Sequence, residues 1–236
     1  MGTGKKDLFT ATALFLTIII LMPVALWFFN PAPMLFSEDF ENTERNKQYT
    51  PCAAFTIEQG RLRVTVAQSY SGCSVQIPNE YEEFTFTASV YPVEDVHDGS
   101  INILFGQTED YMYEVQYRPK EEQVNVIHTV TNSNEERVIW ATSGWVDVSG
   151  TTFYDSENKI ELVVTRRSFD LWINNSPTYQ YMYTADNEYL KGGISIGAGA
   201  GEVGGIAFEF DNIEIHEKNL FPRWIHDYWV IQKLKK

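Results

Sequence analysis

"KGGISIGAGAGEVGGIAFEFDNIEIHE" (residues 191–217) places seven glycines in its first fifteen positions and then alternates apolar with polar side chains to its end. A phosphate-binding glycine loop feeds a helix whose N-terminal amides face the anion, and nucleotide chemistry adds Lys-Ser or Lys-Thr. These glycines feed a strand instead, with Phe208 and Phe210 on one face and Ala207 and Glu209 on the other. The run therefore reads as a strand and turn in which side chains are absent because neighbouring backbones approach closely.

The same period of two recurs outward from this stretch. "FTIEQGRLRVTV" (55–66) reads as a hairpin turning near Gly60, and "FTFTASVYPV", "SINILFG", "YMYEVQY", "VNVIHTV", "KIELVVT" and "FDLWINN" alternate or run apolar for the length of a strand. Turn clusters such as "EDVHDGS", "TNSNEE" and "YDSEN" separate them. No segment between the first thirty residues and position 217 carries a helical stripe. Ten or more short strands in about 180 residues predict an all-β chain, an antiparallel jelly-roll sandwich.

The flanks differ from this body. Residues 8–29 are apolar apart from Thr10, Thr12 and Thr17, and a helix of that length spans a hydrocarbon core of roughly 30 Å. Lys5 and Lys6 precede the run and no basic residue follows until Arg45, which predicts a signal anchor with its N-terminus in the cytoplasm and the remainder outside. A cleaved signal peptide is the competing reading; the bulky Trp27, Phe28 and Phe29 and the lack of a small-x-small site favour the anchor. At the other end, Leu220, Trp224, Tyr228 and Ile231 recur at helical spacing ahead of Lys233, Lys235 and Lys236, predicting a short amphipathic helix that lies on the outer leaflet or docks on a partner. The expected organisation is a cytoplasmic tip (1–7), a transmembrane helix (8–29), a linker (30–34), a β-sandwich (35–216) and an aromatic, basic tail (217–236).

Charge narrows the partners. The formal net charge is −14, and with two basic and one acidic residue before position 31, and five basic and two acidic after 216, the middle holds 11 basic against 29 acidic residues, or −18. Such a surface repels phosphate backbones, so no nucleic-acid partner is expected. The two cysteines, Cys52 and Cys73, both fall on the exported side, where a single disulfide is the natural pairing.

"EFDNIE" (209–214) resembles the Glu-x-Asp-x-x-Glu signature of bacterial endo-glucanases with a concanavalin-like jelly roll, whose two glutamates act as nucleophile and acid/base. The resemblance would make Glu209 and Glu214 that pair, with Asp211 between them. Retaining hydrolysis needs carboxyl groups about 5 Å apart, and in a regular strand Glu214 falls opposite Glu209 and Asp211 unless a bulge intervenes. Because this is the last strand of the domain, it reads as an acidic edge strand and catalysis is not assigned. A broader resemblance runs from Leu35 to Ile215: "LFSEDFE", "FTFTASVYPV", "ILFGQTEDYMYEVQY", "NKIELVVTRRSFDLWINN" and the opening stretch follow the order seen in laminin-G-like and 3-keto-disaccharide-hydrolase-like domains of the concanavalin A-like superfamily. It implies that the N-terminal Asp-Phe strand pairs with the C-terminal Phe-Asp-Asn strand.

Aromatic rings stack on sugars, so Tyr111, Tyr113 and Tyr117, which share one strand face, and Trp140, Trp145 and Trp172 are candidate ligand-binding residues; the competing role is filling the core. Trp145, in the turn-like "SGWVD", is the one expected at the surface. No cofactor is required, but calcium is considered at Asp95 and Asp98, at Glu109 and Asp110, and where Asp39 approaches Asp211. Asn174 opens an Asn-x-Ser sequon. Three functions follow: a membrane-anchored, extracytoplasmic, non-catalytic module binding a glycan, cell-wall polymer or protein; an accessory subunit of a membrane complex; and a glycoside hydrolase of the concanavalin A-like class.

Overall fold

The alternation becomes fifteen strands among the described residues, which in this computed structural model are 32–42, 55–93, 96–132, 136–148, 156–183 and 191–218. They are β1 (Met34–Glu38), β2 (Phe55–Glu58), β3 (Arg61–Val66), β4 (Gly72–Tyr81), β5 (Phe84–Val93), β6 (Ser100–Gln107), β7 (Tyr111–Arg118), β8 (Gln123–Thr131), β9 (Arg137–Thr142), β10 (Val146–Asp147), β11 (Asn158–Val164), β12 (Ser168–Ile173), β13 (Ser176–Met182), β14 (Gly192–Gly199) and β15 (Ile206–Glu217). All belong to one unit, Met34–Lys218. The expected anchor at 8–29 and the expected helix beyond 218 lie outside the described residues. No helix among the described residues is long and apolar enough to cross a membrane.

Every pairing is antiparallel. The eight-stranded sheet runs β13-β12-β11-β5-β15-β3-β2, with β1 also on β15; the seven-stranded sheet runs β10-β8-β7-β6-β14-β4, with β9 also on β8. Inward side chains of the two sheets form one core. Phe105 and Tyr113 stack at 5.6 Å from the seven-stranded side, Phe169 and Tyr181 stack at 5.4 Å from the other, and Phe105 meets Phe169 edge to face at 5.3 Å. Such contacts add to the burial of rings this large. The hairpin at 55–66 forms as expected, with Gly60 at φ +73° in its turn.

β15 corrects the expectation of an edge strand. It lies inside its sheet: β5 pairs along its whole length on one side, while on the other β3 covers Ile206 to Phe210 and β1 covers Ile213 to His216. Strand order is set by long-range pairing, to which position in the chain is a poor guide. The register slips between Asp211 and Glu214, and Asn212 has φ +48°. This bulge keeps Phe208, Phe210, Ile213 and Ile215 buried and turns Glu209, Asp211, Glu214 and His216 outward together.

The glycines of the opening stretch do what close backbone approach predicts. A Cβ on Gly197 would run into the Cys73 carbonyl oxygen and come within 2.6 Å of the Ser74 Cα, both in the backbone of β4. One on Gly192 would reach the backbone of Gly106 and Gln107. On Gly193 its tightest contact is the flexible end of Gln76, at 3.2 Å, with Gln107 at ordinary van der Waals distance.

His128 occupies a different kind of buried position. It is 4% exposed, its ring stacks on Tyr113 at 4.3 Å, and its Nδ1 has no hydrogen-bond partner. Desolvation lowers its pKa, so the fold holds it neutral.

Two outcomes are expected in urea unfolding of the protein. Gly197→Ala costs about 1–3 kcal/mol by overpacking against β4, whereas Gly193→Ala changes stability by no more than about 0.5 kcal/mol. The unfolded state takes up the His128 proton below about pH 6.5 while the folded state resists it. The contribution of His128 is therefore complete above that pH and is lost as pH falls through its lowered folded-state pKa. His128→Phe flattens this part of the profile.

Candidate functional site

The two sheets have outer faces of different chemistry, and on the seven-stranded one Asn102, Asn125 and Ser195 are themselves largely buried between their neighbours. On the eight-stranded sheet the charges neutralise one another. Glu209 lies between Arg63 of β3 and Tyr91 of β5; its Oε2 is 3.1 Å from Arg61 Nη1 and its Oε1 is 3.8 Å from Arg63 Nη1. The Arg61 guanidinium in turn covers the Tyr91 ring at 3.9 Å. Glu214 Oε2 lies 3.0 Å from His216 Nε2, and Asp211 accepts the Asn212 backbone N–H. The bulge does bring the three acids of "EFDNIE" to one face, but the two glutamates are engaged with neighbouring side chains.

The outer face of the seven-stranded sheet is built from amides, hydroxyls and glycines. Its strands alternate so that Ile101, Ile103, Tyr113, Val115, Tyr117, Val124 and Val126 point into the core; their neighbours point out. One row across the sheet reads Ser74, Gly197, Asn102, Gln116, Asn125 from β4 to β8. The next reads Gln76, Ser195, Leu104, Glu114, Ile127, Thr142. Gly197 and Gly199 carry no side chain on β14; the β4 backbone closes over Gly197, and the side chains of Asn102 and Ser100 pack over Gly199.

A directed hydrogen-bond chain crosses these rows. The Thr142 hydroxyl donates to Asn125 Oδ1 at 2.8 Å, Asn125 Nδ2 donates to Gln116 Oε1 at 3.0 Å, and Gln116 Nε2 donates to Glu114 Oε1 at 2.9 Å. Each amide is thereby fixed in orientation before any ligand arrives. Burial pushes the Glu114 carboxyl above the usual carboxylate range, and the Gln116 amide pulls it part of the way back. At one end of the face the Arg118 guanidinium lies 3.8 Å over the Trp145 ring, which is 36% exposed. At the other, Arg137 crosses Met112, donating to its Sδ and to the Thr108 carbonyl. From Met112 to Arg118 the face runs about 20 Å.

The expected site residues distribute unevenly. Tyr113 and Tyr117 are 1% and 2% exposed in the core, which corrects their assignment to a ligand face; alternation gave them a shared side, and that side is the inner one. Tyr111, on the same side, is half-buried and packs against the core. Trp145 is at the surface as expected, while Trp140 lies on β9 with its side chain outside the described residues. Trp172 is half-buried on the outer side of the other sheet, opposite Glu161. Among the described residues no three His, Cys, Asp or Glu side chains converge to hold a metal. Asp98 instead accepts the backbone N–H groups of Glu202 and Val203, Asp39 accepts that of Glu41, and Asp95 lies outside the described residues. The Asn174 side chain is tied to Asn158 and to the Lys159 N–H, as a turn residue would be. Cys73 is half-buried on β4, and Cys52 lies outside the described residues.

The sequence reading missed Glu114, Gln116, Asn102 and Asn125. The signal was present in "YEVQYR": the polar positions between the tyrosines are the outward ones, and the tyrosines drew attention to the wrong half of the alternation.

Known proteins share this fold. No protein-family model and no curated protein sequence matches the chain. Among solved structures, it is similar to a protein of unknown function with a galectin-like fold from Bacillus subtilis (TM-score 0.60, 12% identity, covering 80% of this chain and 97% of that one). It is also similar to a β-glucanase of Bacillus licheniformis (0.56, 10%, 80% and 100%) and to a carbohydrate-binding module of Bacillus subtilis (0.52, 9%, 72% and 95%). The neighbours are galectin-like and concanavalin A-like jelly rolls, and at these identities what is shared is the fold.

Asn125 is 7% exposed and stands in the middle of the hydrogen-bond chain. Asn125→Leu is expected to cost about 1–3 kcal/mol in thermal or urea unfolding, since it leaves the Gln116 carbonyl and the Thr142 hydroxyl without their partner.

Proposed function

We propose that this chain is a membrane-anchored, extracytoplasmic, non-catalytic β-sandwich module that binds carbohydrate on the outer face of its seven-stranded sheet. The observation that carries the reading is the Thr142–Asn125–Gln116–Glu114 chain on the outer face of this sheet. Sugar hydroxyls are donors and acceptors at fixed spacing, and a row of pre-oriented amides ending in a carboxylate matches them. The flanking Leu104 and Ile127 offer apolar contact to ring C–H groups, and Trp145 offers a ring edge at the end of the face. Neighbours of this fold that carry carbohydrate-binding and glucanase names lend support.

The apolar run at 8–29 and its lysine bias support the anchor. Met34 pairs with His216, so the two flanks of the sandwich leave it side by side, which suits a body carried close to a bilayer. The Cys52–Cys73 disulfide belongs with this exported placement. A second reading, an accessory subunit of a membrane complex, is favoured by one feature: Ile139, 64% exposed, and Val138 and Val146, each 38% exposed, lie on the two short strands bordering β8. The short stretch between the apolar run and β1, which begins at Met34, also suits it.

The test is a glycan array probed with the full-length protein in detergent. Binding is expected, weakened about tenfold or more by Gln116→Ala or Asn102→Ala and unaffected by Glu209→Gln on the opposite sheet. An array on which nothing binds, together with stoichiometric partners recovered from detergent extracts, overturns the reading in favour of the subunit. Impermeant protease added to intact cells is expected to cleave within residues 35–216; protection of that stretch overturns the topology.

A further inference from the structure

Glu114 is a partly buried acidic side chain on the outer face of the seven-stranded sheet with no ion-pair partner among the described residues, unlike several acids elsewhere on the sandwich. Glu209 has Arg61 and Arg63, Glu82 has Arg166, Glu80 has Lys191 and Glu83 has Lys218. Among the described residues no Lys or Arg lies within ion-pair reach of Glu114, and the hydrogen bond from Gln116 engages its Oε1 alone. Its cross-strand neighbours are the apolar Leu104 and Ile127, which exclude water from its sides. The two arginines on the same face are committed elsewhere: Arg118 lies over Trp145 and Arg137 holds Met112 and the Thr108 carbonyl. A partly desolvated carboxylate with one open oxygen and no cation is costly in the empty site and strongly attracts one from outside.

We infer that the face takes a glycan bearing a free amino group, the ammonium of an amino sugar meeting Glu114 Oε2 while its hydroxyls meet the amide row. This rests on the carbohydrate reading above and narrows it. Beside Glu114 the site supplies Gln116 and Asn125 for hydroxyls and Leu104 and Ile127 for ring C–H faces, while the Ser195–Gln107 pair and Gln76 lie two and three strands away along the same row, about 10–14 Å off, at the reach of a neighbouring sugar unit. An ammonium–carboxylate hydrogen bond is roughly twice as strong as a neutral one. The net charge of −18 over residues 31–216 draws a polycationic sugar toward the domain and repels uronic or sulfated polymers. The upward pull of burial on the Glu114 carboxyl predicts a bell-shaped profile: binding rises as Glu114 ionises and falls as the sugar ammonium loses its proton.

The experiment is titration calorimetry of the full-length protein in detergent with four probes: the glucosamine tetramer, the N-acetylglucosamine tetramer, cellotetraose and spermidine, at about pH 6 and about pH 9. The glucosamine tetramer is expected to bind about tenfold tighter than the acetylated and neutral tetramers at the lower pH, and to lose that advantage at the higher. Glu114→Gln, which keeps the shape of the side chain, is expected to bring the three tetramers to within about threefold of one another. The pH comparison on the unsubstituted protein stands even if that variant fails to fold. Cellotetraose binding as tightly as the glucosamine tetramer overturns the inference while leaving a glycan site intact, and spermidine matching it overturns the sugar component. Failure of every tetramer removes the carbohydrate reading itself.

Discussion

The architecture depends on β15 being held on both flanks. Its twelve residues give β5 a partner along one side and divide the other between β3 and β1, so three segments, each more than a hundred residues earlier in the chain, close on a single strand. The bulge at Asn212 is what makes that closure compatible with a core. Without it the phase of alternation would reverse after Asp211, placing Glu214 and His216 among Phe86, Phe169 and Ile160 and sending Ile213 and Ile215 into water. A carboxylate buried there without a partner would outweigh the gain from any one pair of strands.

The two sheets then serve different ends. The outer face of the eight-stranded sheet is closed on itself, with Arg61 shared between Glu209 and Tyr91 and Glu214 joined to His216. Such a face has little left to offer a ligand. The outer face of the seven-stranded sheet is ordered but incomplete: three side chains orient one another in sequence and deliver that order to a carboxylate whose second oxygen remains open. Order of this kind lowers the entropy lost on binding, because the amides do not have to be immobilised by the ligand.

Much of this was legible in the sequence, and the limits were physical. Period-two alternation identified β2, β3, β5 to β8, β11, β12 and β15 but not β4, β9, β10 or β13, and the glycines of 191–205 announced close backbone approach, which Gly192 and Gly197 display. The pairing of the "LFSEDFE" segment with the final strand also stands, with Ser37 opposite Glu214. Alternation divides a strand into two faces without saying which faces inward, and in "YMYEVQYR" the aromatic half filled the core because rings of that size are the efficient way to join two sheets about 10 Å apart. Nor does alternation reveal strand order. Whether "EFDNIE" lies at an edge or in the middle is decided by β3 and β5, whose residues lie more than a hundred positions earlier.

The central position of the final strand also governs how the molecule comes into being. While residues 206–217 are still within the ribosomal exit tunnel, β5 lacks one neighbour and β1 and the β2–β3 hairpin have no sheet to join, so this part of the eight-stranded sheet remains unassembled until β15 itself has emerged. Contacts of such long sequence separation form slowly, and strands waiting with open edges are prone to pair with the wrong chain. Nascent protein of this kind depends on whatever shields those edges for the interval, and a truncation just before β15 would yield an aggregating fragment instead of a smaller folded domain.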